Sequence, residues 1–414
     1  MKSLGVIVEY NPFHNGHLFH LTESKRQTGA EVVIAVMSGQ FLQRGEPALV
    51  SKWTRTKMAL KNGIDIVVEL PYAFATQKAE LFASGSISIL SGLKCDSVCF
   101  GSEQGKMEDF QKTISLMDNE KEKHDFLVQT FIGQGYSFPK ASSLAFLKVT
   151  EDMNDILDLT KPNNILGYHY VKAIQEQEST MQPFTIERTG AGYHDPEFND
   201  TPIASATSIR KHLFDNNGNI EKVQRFVPEK TYELLNHYLY KVGSFHQWED
   251  YFTLLKYRIL CSTPNELAEI YEVEEGLEHR VIHTMKESMN FHEFMTKLKT
   301  KRYTWTRLQR MCTHLLTNTR KENMLDVSSS KRSEYIRLLG MSRKGQQYLK
   351  QIKKDVEIPI LSKVSGVDSN MLDMDIRATS TYAMKFNEPA RSEWMQQEFS
   401  KPPIRYDEEK ECFL

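Results

Sequence analysis

Short apolar runs alternate with amphipathic stretches through the first half of the chain. Residues 4–8 are apolar, and Glu9 ends the run. Residues 32–37 form a second run, 64–70 a third that stops at Pro71, 97–100 a fourth that stops at Gly101, and 184–186 a late fifth. Runs this short, rich in β-branched residues, read as buried strands. Between them, residues 18–25, 53–61, 79–90 and 165–175 carry apolar positions at helical spacing, and two or three more helices are expected between 107 and 147. Strand and helix in alternation predict an α/β fold with a parallel sheet covered by helices. Ligands of such sheets sit beyond the carboxyl ends of the strands. His14, Gly39, Gly101 and Arg188 fall at those ends.

From about Asn216 the pattern changes. Strand-like runs become scarce, helical periodicity dominates from 231 to 348, and residues 358–361 read as an edge strand. The turn-rich cluster from Asp215 to Asn219 places a boundary there. The expected organisation is an α/β unit over 1–220 and a mainly helical unit over 221–414. A length of 414 residues suits two such units.

Composition removes some classes. A balance of 40% hydrophobic and 26% charged residues is that of an ordinary globular protein. A net charge of -2 means that any nucleic-acid contact has to be local. No stretch approaches the roughly 20 apolar residues of a membrane helix, and the first apolar run is too short for a secretory leader. The five cysteines (Cys95, Cys99, Cys261, Cys312, Cys412) are scattered without a paired spacing, which suits reduced thiols. A cytoplasmic location without a membrane is expected.

Three segments carry candidate chemistry. The first is His14-Asn15-Gly16-His17, set between the first strand and a helix. A helix N-terminus presents free amides and a positive dipole end to a phosphate. Gly16 permits close approach of the backbone. His14 and His17 lie three apart, face one ligand, and can donate to phosphate oxygens as charge builds there. The second segment runs from Ser205 to Arg210 and opens another helix. Ser205 reads as its N-cap. The hydroxyls of Ser205 and Thr207, with the Arg210 guanidinium, suit a leaving pyrophosphate. The third is a basic stretch from 297 to 321 that contains no acidic residue. Lys299, Lys301, Arg302, Arg307 and Arg310 supply cations, with Tyr303 and Trp305 interleaved. Cations for phosphates and aromatics for unstacked bases suit a single-stranded RNA loop.

The first two segments together resemble the nucleotidyltransferase superfamily of adenylylating enzymes. The resemblance implies a Rossmann-like domain that splits ATP between its α- and β-phosphates. Ala206 departs from the pattern, because many members carry Ser or Thr there. Longer segments narrow the match: residues 5–17, 38–48, 69–71, 100–103, 161–167, 188–194 and 205–210 resemble the bacterial tRNA(Met) cytidine acetate ligase family. That family makes acetyl-adenylate from ATP and acetate, then acetylates N4 of the wobble cytidine in the anticodon loop of elongator tRNA(Met). The resemblance implies ATP contacts along Ile7, Val8, Glu9, Tyr10, Asn11, Pro12, Phe13, His14, Asn15, Gly16, His17, Leu18, Phe19 and His20, and at Gly101, Asn163 and Arg188. His14, His17 and Arg210 are the expected catalytic residues, and Mg²⁺ is the expected companion of ATP. Arg44 suits acetate, phosphate or Glu46 equally, and residues 189–194 suit a loop over the site. Two other readings are a small-molecule adenylyltransferase of coenzyme synthesis and a non-catalytic RNA-binding protein.

Overall fold

The computed structural model describes residues 1–151, 153, 156–188, 202–274, 276–364 and 366–414. The loop expected at 189–194 lies outside them. Nine strands form one sheet: β1 (Ser3–Val8), β2 (Val32–Ser38), β3 (Ile66–Leu70), β4 (Ser97–Ser102), β5 (Gln182–Glu187), β6 (Ile336–Ser342), β7 (Ile360–Leu361), β8 (Ile404–Asp407) and β9 (Cys412–Phe413). Their order is β5-β4-β1-β2-β3-β6-β8-β9, with β7 also on β6. The pairs within β1 to β5 are all parallel, as the alternation predicts. Helix α1 (Asn15–Thr28) links β1 to β2, and helix α2 (Lys52–Lys61) lies between β2 and β3. The chain winds outward from β1 in one direction through β2 and β3, and from its other side through β4 and β5. The crevice beyond the carboxyl ends of β1 and β4 is therefore the switch point where such sheets bind ligands.

Strand β2 shows why the centre holds. Val32, Ile34 and Val36 pack in one hydrophobic layer, while Val33, Ala35 and Met37 pack in the other. A strand buried on both faces has to be apolar throughout, and this one is. The first layer continues without a break into the second half of the chain, through Tyr251, Phe294 and Met311.

One expectation is corrected. Residues 336–342 fall inside the stretch read as helical, yet they form β6, antiparallel to β3. Ile336 and Leu339 are fully buried, and Gly340 has room for no Cβ: one would sit 2.7 Å from Thr56 Cγ2 of α2. The burial on both faces and the missing side chain erase the alternation that marks a half-exposed strand. Strands β6 to β9 therefore extend the same sheet from the second half. The edge strand expected at 358–361 is present as the two-residue β7. No described helix is long and apolar enough to cross a membrane.

A buried ion cluster joins the two halves. Lys52 Nζ lies 2.7 Å from Glu69 of β3 and 2.8 Å from Glu398 of the helix Ala390–Ser400, and all three side chains are almost wholly buried. Burial alone would lower the Lys52 pKa, but the two carboxylates hold it above its ordinary value. Replacing Lys52 by Met strands two buried carboxylates. The expected cost is about 3–5 kcal/mol, measured as a lower midpoint of urea unfolding. An unchanged midpoint would show that the cluster does not fasten the halves together.

Candidate active site at the sheet crevice

Beyond β1 the chain turns through Glu9, Tyr10, Asn11, Pro12 and Phe13 into α1. Tyr10 is left-handed at φ 50°, a conformation that a bulky side chain adopts only when its surroundings impose it. Tyr10 is buried, with ring centroids 4.6 Å from Phe13 and 4.9 Å from His17. The Asn11 carboxamide oxygen accepts from the Leu49 amide at 2.6 Å, and the Asn11–Pro12 bond is cis. Ile7 and Val8 are half-buried at the end of β1.

The helix start is capped by its own histidines. His14 is the N-cap residue, and its Nδ1 accepts from the Gly16 amide at 3.1 Å. His17 Nδ1 accepts from the His14 amide at 3.2 Å. The two rings stack, with centroids 3.7 Å apart at 30°. Because both Nδ1 atoms accept, each proton sits on Nε2, and each neutral ring keeps one N–H to donate. Gly16 is required for this seat: a Cβ there would lie 2.9 Å from His14 Cε1. The glycine thus serves the imidazole as well as any approaching phosphate.

The surroundings keep the rings neutral. Burial, then Arg188 and Arg210, push the His14 pKa down to about 3. Burial, then His14, Arg188 and His20, hold His17 well below its ordinary value, and burial with Arg188 takes His20 to about 4. The cations that depress these histidines are the ones a triphosphate would meet. Arg188 follows β5, its amide donates to Ser102 O at 2.9 Å, and its side chain lies against Gly101, where a Cβ would sit 3.2 Å from Arg188 Cγ. Arg210 donates to Asn11 O at 3.0 Å and to Glu46 Oε2 at 2.7 Å. Ser205 caps the helix Ala206–Asp215 by accepting from the Ser208 amide at 3.1 Å, and Thr207 is exposed.

Some expected contacts are otherwise engaged. Asn15 donates its side-chain amide to Pro202 O and Arg225 O, both at 2.9 Å, which ties α1 to the segment beside the second motif. Leu18 and Phe19 are exposed on α1. The Asn163 amide group donates to Glu103 Oε1 at 2.7 Å, while the Glu103 carboxylate also takes the backbone amides of Asn163 and Asn164. Glu103 therefore fills the N-terminus of the helix Pro162–Glu176, leaving the carbonyl and the second N–H of the Asn163 side chain for a ligand.

Two supports escaped the sequence reading. Arg55 of α2 is fully buried and donates to Glu9 O at 2.7 Å, to Ser38 O at 2.9 Å and to Gly39 O. It clamps the carboxyl ends of β1 and β2. Its only sequence signal is its spacing from the apolar Met58 and Ala59 on the same face of α2. The second support is the set of residues that hold the loop with Arg44 and Glu46, a loop the sequence singles out without them. Glu9 Oε1 accepts from Gln43 N at 2.9 Å, Trp248 Nε1 donates to Gly45 O at 3.0 Å, and Gln309 Nε2 donates to Arg44 O at 2.9 Å. Gly45 has φ 74° and lies against the backbone of Arg310. The second half of the chain therefore holds one wall of the crevice.

The basic stretch divides. Lys299, Lys301 and Arg302 are exposed. Tyr303 is buried, with the Arg307 guanidinium 4.7 Å above its ring. Arg307 pairs with Glu274 at 2.6 Å and Arg310 with Glu272 at 2.6 Å, while half-buried Trp305 donates to Gln309 at 3.2 Å. Tyr303 is thus packed inside the fold, and Arg307 and Arg310 each hold a carboxylate beside the helix Trp305–Leu316. The acidic partners of the two arginines come from a separate segment, so the local absence of acidic residues gave no sign of them.

The chain is similar to known proteins along its whole length. A model of the HIGH nucleotidyl transferase family matches residues 1–398. The chain is 51% identical over 394 residues to a tRNA(Met) cytidine acetate ligase of Bacillus cereus, covering 95% of this chain and all of that one. It is 49% identical over 416 residues to the enzyme of that name from Bacillus velezensis, with both chains fully covered. The crystal structure of Thermotoga maritima TmcAL bound with alpha-thio ATP superposes with a TM-score of 0.89 at 31% identity, covering 98% of this chain and all of that one. The apo form of the same protein gives 0.90 at 32% identity, with the same coverage. The family match over residues 1–398 and relatives about half identical over the whole chain place it in the HIGH nucleotidyl transferase family and, within it, among the tRNA(Met) cytidine acetate ligases.

Proposed function

We propose that this chain makes acetyl-adenylate from ATP and acetate and transfers the acetyl group to N4 of the wobble cytidine of elongator tRNA(Met). The observation that carries this is the pair of stacked, neutral imidazoles at the N-terminus of α1, flanked by Arg188 and Arg210. Two N–H donors, a helix dipole and two guanidinium groups suit a triphosphate that gains charge on its α-phosphoryl oxygens during attack. A small-molecule adenylyltransferase reading gives the second half of the chain no task, whereas the ligase relatives match across it.

In the first step an acetate oxygen forms a bond to the α-phosphorus, and the bond to the bridging oxygen breaks with pyrophosphate as leaving group. Acetate is already ionised near neutral pH, so positioning and charge stabilisation do the work. His14 and His17 donate through Nε2. Arg210, with the Ser205 and Thr207 hydroxyls, steadies the departing phosphates. Mg²⁺, as the companion of ATP, would be carried on its phosphates. In the second step the cytosine amine attacks the acetyl carbon, AMP leaves, and the amine loses a proton. Exposed Lys299, Lys301 and Arg302 are the remaining candidates for the phosphates of the anticodon arm. Five unpaired cysteines, with ATP and tRNA as substrates, fit a cytoplasmic enzyme.

Replacing His14 or His17 by Ala is expected to slow acetate-dependent ATP–pyrophosphate exchange by about 10²–10³-fold. His14→Asn keeps a cap acceptor and so spares the roughly 1 kcal/mol that a missing cap costs. It should fold like the wild type yet exchange slowly, and exchange at the wild-type rate would remove the imidazoles from the mechanism.

The lowered histidine pKa values give a pH test. With His14 near 3 and His20 near 4, protons should add only as pH falls well below about 5, more than one unit under the ordinary histidine value. NMR of the ring nitrogens is expected to show both neutral from neutral pH down to that point. A titration step near the ordinary value of about 6.5 at either ring would contradict neutral donors.

Charge reversal of Lys299, Lys301 and Arg302 together is expected to weaken tRNA(Met) binding. The salt dependence should also flatten, by about 0.7–0.9 in log–log slope for each phosphate that the variant no longer neutralises. Equal slopes in variant and wild type would move the RNA surface elsewhere.

A further inference from the structure

A second charged cavity lies away from the ATP crevice. It has a volume of about 100 Å³ and is walled by α2, the helix Glu229–Val242 and the helix Ala390–Ser400 with the residue after it. Trp53 and Lys57 of α2 line it, two residues to either side of Arg55 and therefore on nearly the opposite face of that helix. Lys241, Trp394 and Lys401 complete its chemistry. At about 10–15 Å³ of such space per water, the cavity has room for a phosphate group with part of its carrier.

Its electrostatics are one-sided. Among the described residues, no carboxylate lies within 4.0 Å of Lys57, Lys241 or Lys401. Nearby lysines are paired: Lys61 meets Glu233 at 3.4 Å, and Lys52 has two carboxylates. Burial, then Lys57 and Lys241, lower the Lys401 pKa to about 8. Burial, then Lys241 and Lys61, lower that of Lys57. No carboxylate offsets either shift. Lys401 Nζ sits 4.9 Å over the Trp53 ring and Lys57 Nζ 5.1 Å over Phe413, so aromatic faces supply the counter-field. Three ammonium groups crowded on a half-buried cavity repel one another unless an anion enters.

We propose that this cavity binds the phosphate of a nucleotide, with Lys57, Lys241 and Lys401 on the phosphate oxygens and the two indoles as the apolar wall for its sugar or base. Lysines suit phosphate as point charges, and indole surfaces suit any base without regard to sequence. The same chemistry is met by a free mononucleotide or by one nucleotide unit of an RNA chain. The proposal does not depend on the reading of the ATP crevice, since none of the cavity's residues belongs to it.

The test is calorimetric titration of the full-length protein with AMP, beside fluorescence titration with a short single-stranded RNA. The wild type is expected to bind AMP in two classes of site. The variant Lys57→Gln/Lys241→Gln and the variant Lys401→Met should each keep one class, while acetate-dependent ATP–pyrophosphate exchange stays at the wild-type rate. Both relieve repulsion, so their melting temperatures should equal or exceed that of the wild type. Lys401→Arg should restore the second class. If RNA affinity also falls by about tenfold or more, the natural ligand is a nucleotide of RNA; if it holds, the ligand is a free nucleotide. Retention of every wild-type AMP site in both variants would overturn the proposal, whereas a single wild-type class that both variants lose would support the cavity and remove AMP from the ATP crevice.

Discussion

The imidazole of His14 accepts the Gly16 amide, and that one hydrogen bond decides the chemistry of the crevice. It satisfies an otherwise unpaired donor at the start of α1. It also fixes the tautomer, so the remaining proton lies on Nε2. His17 repeats the arrangement against the His14 amide. Two rings that cap a helix and stack on each other cannot both be charged, and burial beside Arg188 and Arg210 holds them neutral. The two side chains that satisfy the helix end are also the donors that the proposed adenylyl transfer would use.

The crevice itself depends on parts distant in sequence. Arg55 binds three carbonyls beyond β1 and β2, and so sets the spacing of the strand ends that frame the site. The loop with Arg44 and Glu46 rests on Trp248, Gln309 and Thr313 of the second half. Glu46 in turn meets Arg210, which bonds Asn11. Site geometry and the packing of the two halves are therefore one problem. A sheet that continues from β3 into β6, with Lys52 held between Glu69 and Glu398, joins the halves through their cores.

Charge is used in two opposite ways. In the core, cations are enclosed with partners or carbonyls, as for Lys52 and Arg55. At the lysine-lined cavity Lys57, Lys241 and Lys401 have no carboxylate within 4.0 Å among the described residues, and at the crevice Arg210 meets Glu46. Glu46 offsets only one arm of Arg210, at a side chain still partly exposed. Uncompensated cations next to aromatic or helix-end surfaces are what phosphate-bearing ligands require. Arg307 and Arg310 show the contrast: basic in sequence, they are spent on Glu274 and Glu272 within the fold.

The parallel core from β1 to β5 was legible in the chain alone, because buried strands must be apolar and helices amphipathic. The two segments the sequence singled out, Glu9 to His17 and Ser205 to Arg210, meet at the crevice through the bond from Arg210 to Asn11 O, and each was legible because it is contiguous. The sequence did not determine β6, whose alternation is erased by burial on both faces. Nor did it determine the fate of Asn163, Arg307 or Arg310, whose acidic partners lie 60, 33 and 38 residues away. Only the tertiary structure decided which cations stay available, since a charge is spent or spared by what folds against it, and that neighbour is not written beside it in the chain.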